Sequence, residues 1–579
     1  MCGIYAIIKK DNDVVSEEEL SDGTTMLKHR GPDGMGHYVH NNVGLGHTRL
    51  AIIDLSDGGI QPMHKHNNAI TYNGEIYNYR ALKRELSDLG HRFTSQSDTE
   101  VILSAFEEWG PGFEYRLNGM WAFIILNQSD QSIYISRDRY GMKPLYELNR
   151  NGTSYFSSEI KAFSSIPGYK QELNKDVVHD FIIEGLLHHR KESLYTDVFS
   201  FPASSYRIIQ NDGKTIEQTY YTIEQHETDV SAETLKATFI ESVQRHMLSD
   251  VPVAASLSGG IDSSSFVAVA ALENDNLHTF SYVPEEKEIS EEKFIDAVID
   301  NSGVDNHKIS PSFKDHLSHH LDVLKANDSP ALSMSLISHY LKYKRVKEAK
   351  LKMLLSGQGA DELLLGYGTY YPYFLDWLRK TNTIKYISES TNIAKRYPSN
   401  VLKRLVKKNQ HDYAQFSSID HRKKKPASTL ESYYLSMIQE KLLPALLQFE
   451  DRNSMAHGVE GRLPFLDAIF SEVCHKMTPE SKIKRGIRKS IFRKSMESLV
   501  PAVILKRKDK MGYVAPQEKW MYDHRQHFIN KITEGVKEFP SWLKPEIIPW
   551  IREVLNKNKK EHFPYVWRVY SFMVFLKIQ

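Results

Sequence analysis

The alternation of apolar and polar positions changes character once along the chain, near residue 230. Before that point apolar residues come in short strand-like runs: GIYAII at 3–8, VGLGHTRLAIID at 43–54, NAITYNGEIYN at 68–78, GMWAFIIL at 119–126 and SIYISRD at 132–138. Gly, Asn and Asp separate them, which is turn chemistry. Helical spacing is confined to Asn78–Leu89 and Thr99–Trp109. A last strand group, Val198–Ile209, ends at the turn Asn211–Asp212–Gly213. The pattern predicts an α+β unit of layered antiparallel sheets with helices. After Tyr221 the polar stretch IEQHETDVSAET marks a boundary, so the reading is two domains, 1–220 and 232–579. From Ala232 short apolar runs (VPVAASL, HTFSYV, LKMLLS) alternate with helices such as FVAVAALE, which predicts a doubly wound α/β domain on a parallel sheet. Beyond Tyr370 the pattern reads as mostly helical to the end.

Length and charge narrow the class. A chain of 579 residues with 41% hydrophobic and 25% charged residues is long enough for two folded cores. The 74 basic residues balance the 73 acidic ones, so no global field recruits nucleic acid or an anionic membrane. No apolar run reaches the ~18 residues of a membrane span, and no secretory leader develops after MCGIYAIIKKDND. Two cysteines, Cys2 and Cys474, build no disulfide framework, and a cytoplasmic protein is expected. The basic segment 379–425, ending in His421–Arg422–Lys423–Lys424–Lys425–Pro426, reads as a solvated insertion. His316, His319 and His320 have ligand spacing without a partner motif and read as a polar helix face.

Cys2 follows the initiator Met. Removal of Met would leave thiol and α-amine on one residue, and an amine with pKa ~7.7–8 can act as base for its own thiol. Further along stand HRGPDG (29–34), GHTRLAIIDLSDGGIQPM (46–63), TYNGEIYNYRAL (71–82), TSQSDTEVIL (94–103) and RDRYGMKPLY (137–146). The ordered set resembles the glutamine amidotransferase domain of the N-terminal nucleophile class. The resemblance implies Cys2 as nucleophile, with Asn73 and the Gly74 backbone N–H stabilising the oxyanion. It also implies Arg49, Leu50, Ile52, Asn73, Gly74, Glu75 and Asp98 around the glutamine. Arg30 and Asp33 read as a structural ion pair beside the site. On local grounds Asn73–Gly74 is equally a hairpin turn.

In the second domain Leu257–Ser258–Gly259–Gly260–Ile261–Asp262–Ser263–Ser264 lies between a strand and a helix, where backbone N–H groups and the helix dipole favour an anion. It is not a Walker A loop. SGGxDS resembles the pyrophosphate loop of ATP pyrophosphatases, and SGQGADE at 356–362 is a second strand-end loop. Together with DRNSM (451–455), VEGRLPFLD (459–467) and Lys506–Gly512, these loops resemble the synthetase domain of glutamine-dependent asparagine synthetase. The resemblance implies ATP contacts from Leu257, Ser258, Gly260, Asp262, Ser263, Ser264, Tyr282, Ser356, Gly357 and Lys508. Mg²⁺ would be held by Asp262 and Asp361. Glu460 and Arg462 read as structural or substrate-facing. Position 358 departs from the family's SGEGxDE: a Gln can hydrogen-bond but takes no proton. The expected reaction uses glutamine, ATP and aspartate to give asparagine through an acyl adenylate and internally passed ammonia. The alternative amidates another carboxylate, such as a uronic acid. Gln358→Glu is expected to be tolerated with aspartate and harmful with a sugar acid. No nucleic acid or membrane partner is expected, and a homodimer is the oligomeric expectation.

Overall fold

The computed structural model describes residues 2–579 except 11–12, 225–226, 398–412, 419–426 and 508–513. Lys508 and the run His421–Pro426 therefore lie outside the described residues. In the N-terminal domain twelve strands form two six-stranded antiparallel sheets. The first sheet takes β1 (Gly3–Ile8), β2 (Gly34–His40), β3 (Val43–Arg49), β8 (Tyr146–Arg150), β9 (Thr153–Ser157) and β10 (Val198–Ser200) in the order β10-β8-β9-β1-β3-β2. The second takes β4 (Met63–Lys65), β5 (Asn68–Ile76), β6 (Gly119–Asn127), β7 (Ser132–Arg137), β11 (Ser205–Ile209) and β12 (Thr215–Thr219) in the order β12-β11-β7-β6-β5-β4.

The period-2 alternation of strands explains the layering. Ile4, Ala6 and Ile8 of β1 meet Ala69, Ala122, Ile124 and Leu126 of the other sheet in a core between the sheets. Tyr5 and Ile7 face outward onto Leu20 of helix α1 (Glu17–Thr25) and Leu27. Ile70 and Tyr72 likewise face helices α2 (Tyr79–Asp88) and α3 (Asp98–Trp109), giving helix–sheet–sheet–helix layers. With both faces covered, all six residues of β1 are buried. The turn reading of Asn73–Gly74 is corrected here. The pair lies inside β5, with Asn73 opposite Ala122 and Gly74 opposite Trp121. A Cβ on Gly74 would sit 2.1 Å from the Met120 carbonyl oxygen, so strand packing itself requires glycine.

The C-terminal domain holds a five-stranded, wholly parallel sheet: β13 (Val253–Ser256), β14 (His278–Tyr282), β15 (Asp305–Ile309), β16 (Met353–Leu355) and β17 (Glu460–Arg462), in the order β15-β14-β13-β16-β17. One face packs on α4 (Ala232–His246) and α5 (Ile261–Glu273) through Val253, Ala255, Met353 and Leu355. The other packs through Ala254 and Leu354 on Tyr343 and Val346 of α8 (Ser335–Glu348), which follows α6 (Glu292–Ser302) and α7 (Phe313–Asn327). The chain then runs through helices, including α9 (Leu443–Met455) and α10 (Phe563–Leu576). Beyond Tyr370 the described residues are mostly helical, as read; the three-residue β17 is the strand of this stretch that joins the parallel sheet. On α7, His316 and His320 are buried, His316 against Ser338 Oγ at 2.7 Å and His320 against the Trp567 and Tyr570 rings. The polar-face reading holds only for His319, which is half-buried. Among the described residues no helix is long and apolar enough to cross a membrane.

Candidate functional site

Two residue constellations stand out, one in each domain. Gly3 pairs with Thr48, so Cys2 and Arg49 lie together at the end of β1 and β3. Cys2 is 7% exposed, and its backbone N–H donates to Asn73 Oδ1 at 3.0 Å across the two sheets. Asn73 Nδ2 is buried and has no hydrogen-bond partner among the described residues, so an N–H donor stands beside the cysteine backbone. Burial pushes the Cys2 thiol up, while the Leu50 backbone N–H and Arg49 pull it down. Arg49 is held by the carbonyls of Ser56 (2.9 Å) and Asp54. Ile52 is buried, and its carbonyl accepts from Asp250 N–H at 3.0 Å.

Asp98 opens α3 behind the Ser97 cap and accepts from the Tyr72 hydroxyl and the Ile76 N–H, each at 2.9 Å. Burial nevertheless raises its pKa, and nearby Glu460 adds to the effect. Burial and Asp98 push Glu75 well above the usual carboxylate range, against the pull of Arg462. The carboxyls grouped here favour a cation, such as an amino-acid ammonium, over further negative charge.

Arg462 reaches this site from β17 of the other domain. Its guanidinium pairs with Glu75 at 3.2 Å and Glu460 at 2.5 Å, and donates to the carbonyls of His246 (2.9 Å) and Leu248 (2.6 Å). The Arg30–Asp33 pairing is corrected. Arg30 bonds Glu159 and Asp451 at 2.8 Å and the Cys2 carbonyl at 3.0 Å, whereas Asp33 takes Lys352 at 2.8 Å. Both aspartates are in reach of basic groups, but Asp451 is the one that shares Arg30 with the Cys2 carbonyl.

In the second domain β13 and β16 are neighbours, yet the chain leaves β13 in one direction across the sheet and resumes on the other side. That switch point opens a crevice at the carboxyl ends of the strands. A cavity of about 360 Å³ lies there, lined by Ser258, Gly260, Asp262, Ser263, Ser356, Gly357, Gln358 and Asp361 among others. Asp262 and Asp361, 99 positions apart, meet at one ammonium: Lys489 Nζ is 2.6 Å from Asp262 and 2.7 Å from Asp361. Ser258 Oγ and Ser263 Oγ are 3.0 Å apart, drawing the loop into a turn. Leu257, Ser264 and Tyr282 are buried around this turn and do not line the cavity. Two carboxylates that together hold one ammonium suit a hard divalent cation in its place.

The sequence reading missed much of the basic lining. Lys342, Arg488, Lys489, Arg493 and Arg507 all border the cavity, with His339 and Glu291. Arg507 stands in the quoted run Lys506–Gly512 and bonds the Gly259 carbonyl at 3.1 Å, so the motif did carry a signal. Lys489 stands alone in GIRKSIFRKS and carried none. A larger cavity, about 1140 Å³, lies elsewhere in the N-terminal domain, beside Lys9, Asn211 and Asp212, and contains none of these site residues.

Residues 1–221 match the family model of the glutamine amidotransferase domain, and residues 234–577 match that of asparagine synthase. The chain belongs to the asparagine synthase family. It is similar to glutamine-hydrolyzing asparagine synthetase 1 of Bacillus subtilis (strain 168), at 29% identity over 100% of this chain and 97% of the relative. It is also similar to glutamine-hydrolyzing asparagine synthetase B of Escherichia coli (strain K12), at 27% identity over 89% and 83%. Membership makes the protein an ATP-using glutamine amidotransferase with an N-terminal nucleophile type of fold in its first domain.

Proposed function

We propose that the protein is a glutamine-hydrolysing asparagine synthetase. It converts ATP, L-aspartate, L-glutamine and water to AMP, diphosphate, L-asparagine and L-glutamate through a β-aspartyl-AMP intermediate. The observation that carries this reading is that Asp262 and Asp361 meet at one cation beside the Ser258–Ser263 turn, in a chain whose Cys2 backbone nitrogen rests on Asn73. Relatives matched over nearly their whole length bear the asparagine synthetase name, which supports aspartate as acceptor.

In the first domain, loss of Met1 leaves the Cys2 amine beside Asn73 Oδ1, and this amine takes the thiol proton. Sγ attacks the glutamine amide carbon. Asn73 Nδ2 and the Gly74 N–H take the oxyanion, donors of a kind worth about 2.7–4 kcal/mol each. Arg49 offers a planar fork to the α-carboxylate, and Asp98 with Glu75 receives the ammonium. Ammonia in open water would be protonated and lost. Leu50, Ile52, Tyr77, Met120 and Met142 belong to one apolar cluster with Val253, Leu257 and Leu355 of the synthetase core, which supports internal transfer.

In the second domain, Ser258, Gly260, Ser263, Ser356 and Gly357 surround the phosphates, and Lys508 with Arg507 adds positive charge. Asp262 and Asp361 would hold Mg²⁺, displacing Lys489; when bound, the ion neutralises phosphate charge. The test is pyrophosphate release from ATP with L-aspartate and with a uronic acid panel. Turnover with aspartate supports the reading. Turnover with a sugar acid alone moves the function to the uronic acid amidotransferase.

A further inference from the structure

Ammonia must meet an adenylate with its lone pair facing the acyl carbon, so a pocket that orients it has to hold it by its N–H groups. That needs a hydrogen-bond acceptor with a free end. The carboxylates around the cavity are engaged: Asp262 and Asp361 with Lys489, Glu291 with Arg507 at 2.5 Å, and Glu362 with the Tyr367 hydroxyl at 2.6 Å. Gln358 lines the cavity, and its Nε2 donates to Glu450 Oε2 at 3.3 Å. An ionised carboxylate only accepts, so the nitrogen end of the amide is the end committed to Glu450. The carbonyl end is left to the cavity.

Glu450 is built into the protein for this. It sits on α9, is 3% exposed, and accepts from the Tyr343 hydroxyl and from His339 Nε2 at 3.2 Å. The other ring nitrogen of His339 is 3.0 Å from Asn453 Nδ2, which fits an imidazole that accepts there and donates to Glu450. Lys342, anchored on Ser256 Oγ at 3.1 Å, adds positive charge from α8. Burial works against ionisation, but these partners hold Glu450 well below the usual carboxylate range. The negative charge absent from position 358 is therefore present one hydrogen bond behind it.

We propose that Gln358 and Glu450 form the subsite for the attacking nitrogen, the buried carboxylate fixing the amide so that Gln358 Oε1 accepts an N–H of ammonia. The subsite rests on the amide-forming reading above. No bond is made or broken at either residue, and Glu450 is a positioning residue acting through Gln358. Gln358→Glu alone would set two carboxylates face to face, so the tolerance expected from the sequence gives way to loss.

The full chain is assayed with ammonium chloride as nitrogen source and L-aspartate as acceptor. Measured are KM for ammonium, ATP–pyrophosphate exchange, and melting temperature. Glu450→Gln removes the orienting charge and should raise the ammonium KM by about tenfold, the worth of one charge-assisted hydrogen bond, with exchange unchanged. Gln358→Glu should do the same. The exchange of both residues, Gln358→Glu with Glu450→Gln, restores one carboxylate and one amide and should recover most of the loss. An unchanged ammonium KM in Glu450→Gln overturns the proposal. So does exchange activity that falls in parallel with KM, or a double variant no better than the worse single one. Wild-type failure with aspartate but turnover with a uronic acid rejects only the aspartate reading, and the same series is then read with that acid. Failure with every carboxylate rejects the amide-forming reading and the subsite together.

Discussion

Arg462→Met removes the cation that one domain places in the other's glutamine site, and its cost can be worked out. Arg462 is fully buried and shared between Glu75 and Glu460. Removing one member of such a buried pair costs about 3–5 kcal/mol, because a charge is left without compensation. Burial would raise Glu460, yet the amino terminus of the chain, then Arg462 and Lys143, hold it at about 2, against an ordinary 4.5. The whole gap corresponds to roughly 3 kcal/mol of stability at neutral pH, of which Arg462 supplies a part. The sign follows from the same shift. In the wild type, Glu460's contribution is present above pH ~4.5 and is lost as pH falls toward 2. In the variant Glu75 and Glu460 are both raised, so stability is regained as pH falls through their raised values. The deficit should therefore be largest near pH 8 and shrink toward pH 5. Denaturant unfolding of both proteins at pH 8, 6.5 and 5 measures it, with Arg462→Lys, which keeps the charge, in between. A deficit below about 1 kcal/mol at pH 8, or one that widens at pH 5, would refute the reasoning.

Other outcomes follow from the same geometry. Cys2→Ala should abolish glutamine-dependent amide formation and leave ammonium-dependent formation largely intact; failure of ammonium salt to rescue it would show that the two chemistries are not separate. Asp262→Asn and Asp361→Asn should each remove pyrophosphate turnover and spare glutaminase activity, read by parallel release assays at limiting Mg²⁺. Lys489→Met leaves the two aspartates face to face without their shared cation, so added Mg²⁺ should raise its melting temperature by several degrees more than the wild type's. Burial raises Glu114, in contact with the Tyr134 hydroxyl at 2.8 Å, to about 7. Its folded value exceeds the unfolded one, so its own contribution to stability is full below pH ~4.5 and is lost as pH rises to 7, by up to about 3 kcal/mol; Glu114→Gln should remove that component of the slope in pH-dependent melting.

What was legible in the sequence divides by range. The strand runs and the loop motifs are local, and the structure brings Cys2 to Asn73 and Asp262 to Asp361. The residues that escaped are brought in by distant elements. Lys489 follows Asp361 by 128 positions in a segment with no pattern of its own. Arg462 was quoted in VEGRLPFLD, but that it bonds Glu75 depends on β17 being the edge strand of a sheet whose other members end near residue 355. Arg30 was recognised as a structural cation and assigned its near neighbour, because sequence distance was the one guide available; the partner sits 421 positions away.

The run Glu450–Asp451–Arg452 shows why such residues hide. Three consecutive charges on a helix read as a solvated face, yet these are 3%, 3% and 0% exposed. Successive helical residues point about 100° apart, so one charged run serves separate surroundings. Glu450 turns to Gln358 and the synthetase cavity; Asp451 turns to Arg30, whose guanidinium also holds the Cys2 carbonyl. Arg452 meets Glu159 at 2.9 Å and Asp328 at 3.3 Å. Burying three charges is tolerable only because each is met by opposite charge or hydrogen-bond donors. The consequence is that adjacent residues of α9 reach both constellations, Asp451 through Arg30 to the Cys2 carbonyl and Glu450 to Gln358. Contiguity of this kind is not itself energetic coupling. It does join the Cys2 constellation to the Asp262–Asp361 cavity through one helix, a link that the proposed internal transfer of ammonia requires.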